Sequence, residues 1–285
     1  MPDRIDQFES LFKSADKPGL AYNRLKVGSV LLVTDSEQPE TDRLLARVRG
    51  FLAQLENDNP TWASVPGDSY KTVDDLQRIV EEHGPDLIVT YRHLHDADRR
   101  PRFSLGVFLD ELTQNAPAPV LVLPSGDDGR PLDPPVNTDS VMVVTDHLTG
   151  DNRLVEYGAR LTEAGGKLIL AHIEDDVAFA RILSEIGKIP EIETDLARRL
   201  LREQLLNEPR DYIESCARVL HDAGLSIQIE PVVAFGHCLK DYQRLLGKHA
   251  VDLLVLHTRK ESQLAMGGMA YLITAEFRGT PLLLL

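Results

Sequence analysis

One stretch of this chain is spelled twice. Gln77–Val89 reads QRIVEEHGPDLIV and Gln243–Val255 reads QRLLGKHAVDLLV, with six of thirteen positions identical and most of the others conservative. Two further segments return in the same order. VLLVTD (Val30–Asp35) comes back as VMVVTD (Val141–Asp146), and APVLVL (Ala118–Leu123) as TPLLLL (Thr280–Leu285). Three matched segments in one order read as a duplicated domain. Each is a short Val-, Leu- or Ile-rich run, the signature of a strand buried on both faces in a parallel sheet.

Helix-period stretches separate these runs. Leu44, Leu45, Val48, Phe51, Leu52 and Leu55 share one face in the first copy, and Leu154, Val155, Gly158 and Leu161 do so in the second. Alternating strand and helix predicts an α/β fold with right-handed crossovers. The copies are unequal: Asp35 and Asp146 are 111 residues apart, whereas Asp86 and Asp252 are 166 apart, so the second copy carries 55 extra residues. A strand KLILAHI, a polar Glu-rich insertion and a helix from about Pro209 to Ala223 account for them, and the first copy is a trimmed version in which TWASV stands where the second has PVVAF. The expected plan is an N-terminal docking helix (1–26), a trimmed first domain (27–125), a Pro-, Asp- and Gly-rich linker (126–140) and a second domain (141–285). Glu174 to Thr194 is a lid or a dimer arm, with Val177, Phe179, Ile182, Leu183 and Ile186 at helical spacing.

A formal net charge of −14 repels phosphodiester backbones and anionic headgroups, so nucleic acid and membrane are not expected partners. The two cysteines, Cys216 and Cys238, form no C-x-x-C pair, and no apolar run approaches a membrane span. The expected location is the cytoplasm.

An apolar strand ending in Asp, a Gly after a middle strand (VPGD, VAFGH), a DLIV or DLLV strand, then a helix leading to Pro and a last apolar strand together resemble the universal stress protein family, present in tandem from about Val27 to Leu285. That resemblance implies two Rossmann-like, HUP-type, doubly wound parallel sheets. It also implies antiparallel pairing of the two final strands in an intramolecular pseudo-dimer, which would cover an apolar edge. We expect such tandem chains to form a homodimer.

Ligands in such sheets bind beyond the carboxyl ends of the strands, where Asp35, Asp146, Gly67, Gly236, Tyr91 and His257 fall. The resemblance implies ATP binding, with the first-strand Asp near the nucleoside and a glycine-rich stretch on the phosphates. Glycine suits that task because backbone N–H groups must approach phosphate closely. Here His257 and Lys260 stand at the first two glycine positions of the second copy, and only Gly267 and Gly268 remain, followed by Met269. The first copy has Tyr91 and Leu94 there, with Gly106 alone. ATP is therefore disfavoured, and Arg259 and Lys260, or Arg99, Arg100 and Arg102, offer side-chain donors to an anion or remain solvated loop charges.

Asp35 and Asp146 either contact a ligand or cap the next helix. His93, His95, Asp96 and Asp98 share a loop without a second ligand pair, so no metal is expected. His83 and His249 suit the negative end of a helix dipole. No nucleophile elbow, Walker A or G-x-G-x-x-G sequence occurs. The expected function is a non-enzymatic stress-response or signalling protein that works through protein contacts. The alternative is a small-ligand or nucleotide (ATP or AMP) sensor using the second domain. Slow ATP hydrolysis is the enzymatic reading, and the missing glycines count against it.

Overall fold

The computed structural model describes residues 19–96, 103–126, 130–144, 152–258, 266 and 268–285, with Cys238 described by its backbone. Of the docking helix expected over residues 1–26, residues 1–18 lie outside them, and residues 19–26 are not helical: they run as an irregular crossing held to the second half. The architecture is α/β: nine strands form one sheet in the order β2-β1-β3-β4-β9-β8-β5-β6-β7. In the first half β1 (Ser29–Val33), α1 (Gln38–Phe51), β2 (Thr61–Val65), α2 (Val73–His83), β3 (Leu87–Thr90), α3 (Val107–Asn115) and β4 (Val120–Val122) alternate. The second half has β5 (Ser140–Val144), α4 (Asn152–Leu161), β6 (Lys167–Asp175), α5 (Asp176–Ile186), α6 (Thr194–Asp222), β7 (Gln228–Gly236), α7 (Cys238–His249), β8 (Leu253–Leu256), α8 (Gly268–Glu276) and β9 (Leu282–Leu284).

Neighbouring strands run parallel except at the centre, where β4 and β9 pair antiparallel with Leu121 opposite Leu283. The apolar runs are continuous because β3, β4, β5, β8 and β9 are buried throughout. The edges β2 and β7 are partly exposed. Pro231, which has no N–H for a ladder, sits on the open edge β7.

The repeated stretch has a structural reason. Helices α2 and α7 both end on a left-handed residue, Gly84 (φ 54°) and Ala250 (φ 47°). The aspartate that follows then clamps the neighbouring first strand. Asp86 Oδ2 accepts from the N–H groups of Gly28 and Ser29 at 2.8 and 3.0 Å, and Asp252 Oδ2 accepts from Ser140 N–H at 2.9 Å. In return the Asp86 and Asp252 N–H groups donate to the Ser29 and Ser140 carbonyls.

Two expectations require correction. Sequence order equates TWASV with PVVAF, yet β2 lies directly against β1, the place that β6 takes beside β5. Among the described residues the first half has no strand outside β2 in this sheet, whereas the second carries β7 beyond β6. Second, α6 does not start at Pro209 but runs through it from Thr194. The Leu-, Arg- and Glu-rich residues before Pro209 are strong helix formers, and together they outweigh one proline.

The halves also meet outside the sheet. Arg160 on α4 donates to Asp58 Oδ2 at 2.6 Å with side chains 7% and 8% exposed, and Gln54 donates to the Leu161 carbonyl. Residues 19–28 have no regular structure and cross to α4, where Asn23 N–H donates to Glu156. No helix among the described residues is long and apolar enough to cross a membrane.

Candidate functional site

The carboxyl ends of β1, β2 and β3 form the first crevice. Asp35 follows β1, and β3 pairs with β1 directly, so Tyr91 after β3 reaches it. The Tyr91 hydroxyl donates to Asp35 Oδ1 and accepts from the Asp35 N–H at 3.0 Å. The other carboxylate oxygen accepts the His95 N–H at 3.0 Å. Both oxygens are thus engaged by the chain itself. Asp35 does not cap α1, whose N-cap is Glu37 with no side-chain bond.

Local backbone makes this closure possible. His93 and His95 both adopt positive φ, 60° and 57°, which curls the loop after β3 back over Asp35. Gly67, after β2, packs on the Asp35 backbone so closely that a Cβ would stand 2.4 Å from its carbonyl oxygen. No other residue fits there. Tyr70 fills the remaining space: its hydroxyl donates to the Thr34 carbonyl at 3.0 Å and its ring meets His95 edge-on at 4.7 Å. Phe108 on α3 closes the stack, 5.3 Å from Tyr70 and 5.5 Å from His95. Burial, then the neighbouring Asp35, raises the pKa of both phenols, so Tyr70 and Tyr91 stay neutral and have no acid–base role near neutrality.

The next residue, Arg92, is 2% exposed. Its Nε and Nη2 donate to the Thr274 carbonyl at 3.1 and 2.7 Å, and Nη1 to the Leu123 carbonyl at 3.3 Å. Thr274 lies in the last turn of α8, so the guanidinium sits at the negative end of that helix. Burial, with a smaller contribution from Arg278, lowers its pKa to about 10.

In the second half Asp146, Arg259, Lys260 and Gly267 lie outside the described residues, as do Arg99, Arg100, Arg102 and Asp98. His257 follows β8 beside β5, matching the place of Tyr91, and is half-buried. Gly236 ends β7, separated from β5 by β6, so it is one strand further from the first-strand end than Gly67 is. Its neighbours are Asp241, whose Oδ2 accepts the His237 N–H at 2.8 Å, and Ile173. Gly268 opens α8 with nothing within 4 Å of a would-be Cβ. Sequence reasoning missed His172, the lone polar residue within the apolar run LILAHI. It is 4% exposed near the carboxyl end of β6, with Nε2 3.1 Å from Glu174 and Nδ1 without a hydrogen-bond partner.

The histidines at the helix ends differ: His83 Nδ1 lies 2.8 Å from the Ile79 carbonyl oxygen, whereas His249 Nδ1 lies 3.3 Å from Glu230. Among the described residues no three His, Cys, Asp or Glu side chains group as a metal site.

Several solved structures are similar to this chain. PA1789 from Pseudomonas aeruginosa PAO1, a functionally unknown protein, gives a TM-score of 0.47 at 13% identity, covering 91% of this chain and 92% of its own. A universal stress protein from Archaeoglobus fulgidus DSM 4304 gives 0.47 at 10% identity, covering 91% and 96%. In fold, the chain is similar to universal stress proteins. The shorter protein MJ0577 covers 52% of this chain and 95% of its own, at 14% identity and a TM-score of 0.40. No family model matches the chain, and no curated protein matches it. These likenesses concern the path of the backbone and assign no residue a role.

Proposed function

We propose that this chain is a tandem universal stress protein, a non-enzymatic stress-response protein that acts through protein contacts. Two copies of one module, 27–125 and 141–285, lean on each other through β4 and β9 as a pseudo-dimer, joined by the linker 126–140. The observation that carries the reading is the state of Asp35: both its oxygens are bonded by Tyr91 and His95, so the first crevice offers no free carboxylate to a nucleoside. The phosphate loop is degenerate in both copies, with His257 and Lys260 at glycine positions of the second.

A second reading is favoured by His172. A buried imidazole nitrogen without a partner lies near the carboxyl end of β6, and such an atom is stabilised by a ligand donor or acceptor. In this reading the second module is a small-ligand sensor, with Asp146, Gly236, His257, Arg259, Lys260, Gly267 and Gly268 around the ligand and Asp35 and Gly67 confined to structure. Thermal melting with Mg-ATP, AMP and inorganic phosphate separates the two, because a ligand bound to the native state raises its melting temperature. Unshifted melting supports the first reading. A rise abolished by Asp146→Ala supports the second, and a rise abolished by Asp35→Asn instead would refute the closed first crevice.

A further inference from the structure

Helices α5 and α6 form a hairpin that leaves apolar side chains in the open. Val177 (55% exposed), Ile182 (52%), Ile189 (44%), Ile192 (41%) and Leu200 (44%) lie on it or on its turn. Between the helices runs a groove of about 690 Å³, floored by Phe179 and Leu183 and rimmed by Lys188 and Arg198. From Thr194 to Glu208 no residue of α6 is buried, although Leu196 and Leu200, and then Ala197, Leu201 and Leu205, recur every fourth residue. Burial begins only at Pro209, where α6 reaches the sheet. A stripe of that period marks a face that packs on something, and among the described residues α5 is the helix that lies beside it beyond the sheet.

We propose that this hairpin is the interface of a homodimer, seated against the same hairpin of a second copy. Charge selects that occupant. Glu191, Glu193 and Asp195 precede the midpoint Leu196–Ala197, and Arg198, Arg199 and Arg202 follow it. A two-fold axis at the midpoint lays the acidic block of each copy along the basic block of the other, as a self-complementary interface requires. The chain as a whole carries −14, but Lys188 to Arg202 holds four basic and three acidic residues, so two copies repel least here. Within one chain Arg198 pairs with Asp195 at 3.2 Å, yet both side chains are over half exposed (57% and 85%), a pairing weak enough to be exchanged. The Leu stripes then fill the two grooves.

The test is the mass of the full chain by light scattering and sedimentation at micromolar concentration. The expected value is twice the 31.8 kDa chain. Leu200→Glu, at an exposed position and so expected to melt like the wild type, raises the dimer dissociation constant roughly tenfold or more. Independently, Arg198→Glu/Arg199→Glu and Glu193→Lys/Asp195→Lys each give monomers alone and a dimer when mixed. A monomeric wild type overturns the proposal. So does a dimer indifferent to Leu200→Glu, or a charge-swapped pair that stays apart when mixed. A monomer carrying a co-purified amphiphile in native mass spectrometry names another occupant and overturns it too.

Discussion

The paired helix ends before β3 and β8 contain their own control. Gly84 and Ala250 occupy the same left-handed conformation (φ 54°, ψ 53° and φ 47°, ψ 55°) at the ends of the two repeated helices. A Cβ at Gly84 would meet nothing within 4 Å, so the difference between the sites is one of backbone preference, free of clashes. An L-residue in this region is disfavoured by about 1–2 kcal/mol. The extra freedom of glycine in the unfolded chain offsets about 0.4–1 kcal/mol of that. Ala250→Gly is therefore expected to stabilise the protein by about 0.5–1 kcal/mol, and Gly84→Ala to destabilise it by a similar amount. The change is read by urea unfolding followed with circular dichroism and with Trp62 fluorescence, the one tryptophan. The combined variant should return close to wild type, because sites in different halves add independently. Loss of stability in Ala250→Gly, or movement of both single variants in one direction, would refute the reasoning.

Tyr91→Phe removes the hydroxyl from Asp35 and should lower stability by about 2 kcal/mol, as expected for a hydrogen bond to a charged group; a loss under about 0.5 kcal/mol in urea would show the carboxylate is not held there. Burial alone would raise the Asp58 pKa, but the hydrogen bond and charge of Arg160 outweigh it and hold the carboxyl below 3.8. A depressed acid stabilises the fold above its unfolded pKa, and that stability is lost as pH falls through the lower folded value. Asp58→Asn should thus cost about 3 kcal/mol at neutral pH, leaving Arg160 without its anion, and should show a shallower acid limb than wild type in pH-dependent melting. Arg92→Met leaves the Thr274 and Leu123 carbonyls without these donors, with an expected loss of about 2–3 kcal/mol in urea; an unchanged midpoint would refute the guanidinium's role as a link. Burial pushes the Cys216 thiol up to about 11, so in a Cys238→Ser background it should resist alkylation at mildly alkaline pH until urea unfolds the chain.

The strands were legible in sequence because a strand covered on both faces has no polar position to interrupt it: VLLV, DLIV and PVLV can be little else. Helix α6 was misread because Pro209 is a local signal and the helix is sustained by fifteen residues before it, none of them buried. The place of β2 was hidden because order along the chain and order across a sheet are separate variables, and the first half's shorter count of strands moves β2 inward. The closure of Asp35 rests on positive φ at His93 and His95, a choice that tertiary contacts impose on residues with no strong preference for it. For His172 there was a signal, one polar residue within the apolar run LILAHI, and its significance lies in the Nδ1 without a partner, which only the fold reveals.

One divergence between the halves falls at the two residues that follow β3 and β8. Thr90 and Leu256 accept hydrogen bonds from Leu123 and Leu285 in the same way, so the backbone is alike up to that point. Then Tyr91-Arg92 stands against His257-Thr258. Thr258 turns its hydroxyl and N–H to the Leu285 carbonyl within its own half. Arg92 reaches the matching Leu123 carbonyl and goes on to α8 of the other half. A guanidinium without a carboxylate among its bonded partners persists in a buried site when carbonyls at a helix terminus supply the opposing partial charge. The longer side chain thereby ties the first half to the second, while Tyr91 occupies the crevice beside it. His257, at the matching place after β8, is half-buried, and the bonds of the Thr258 that follows it stay within the second half.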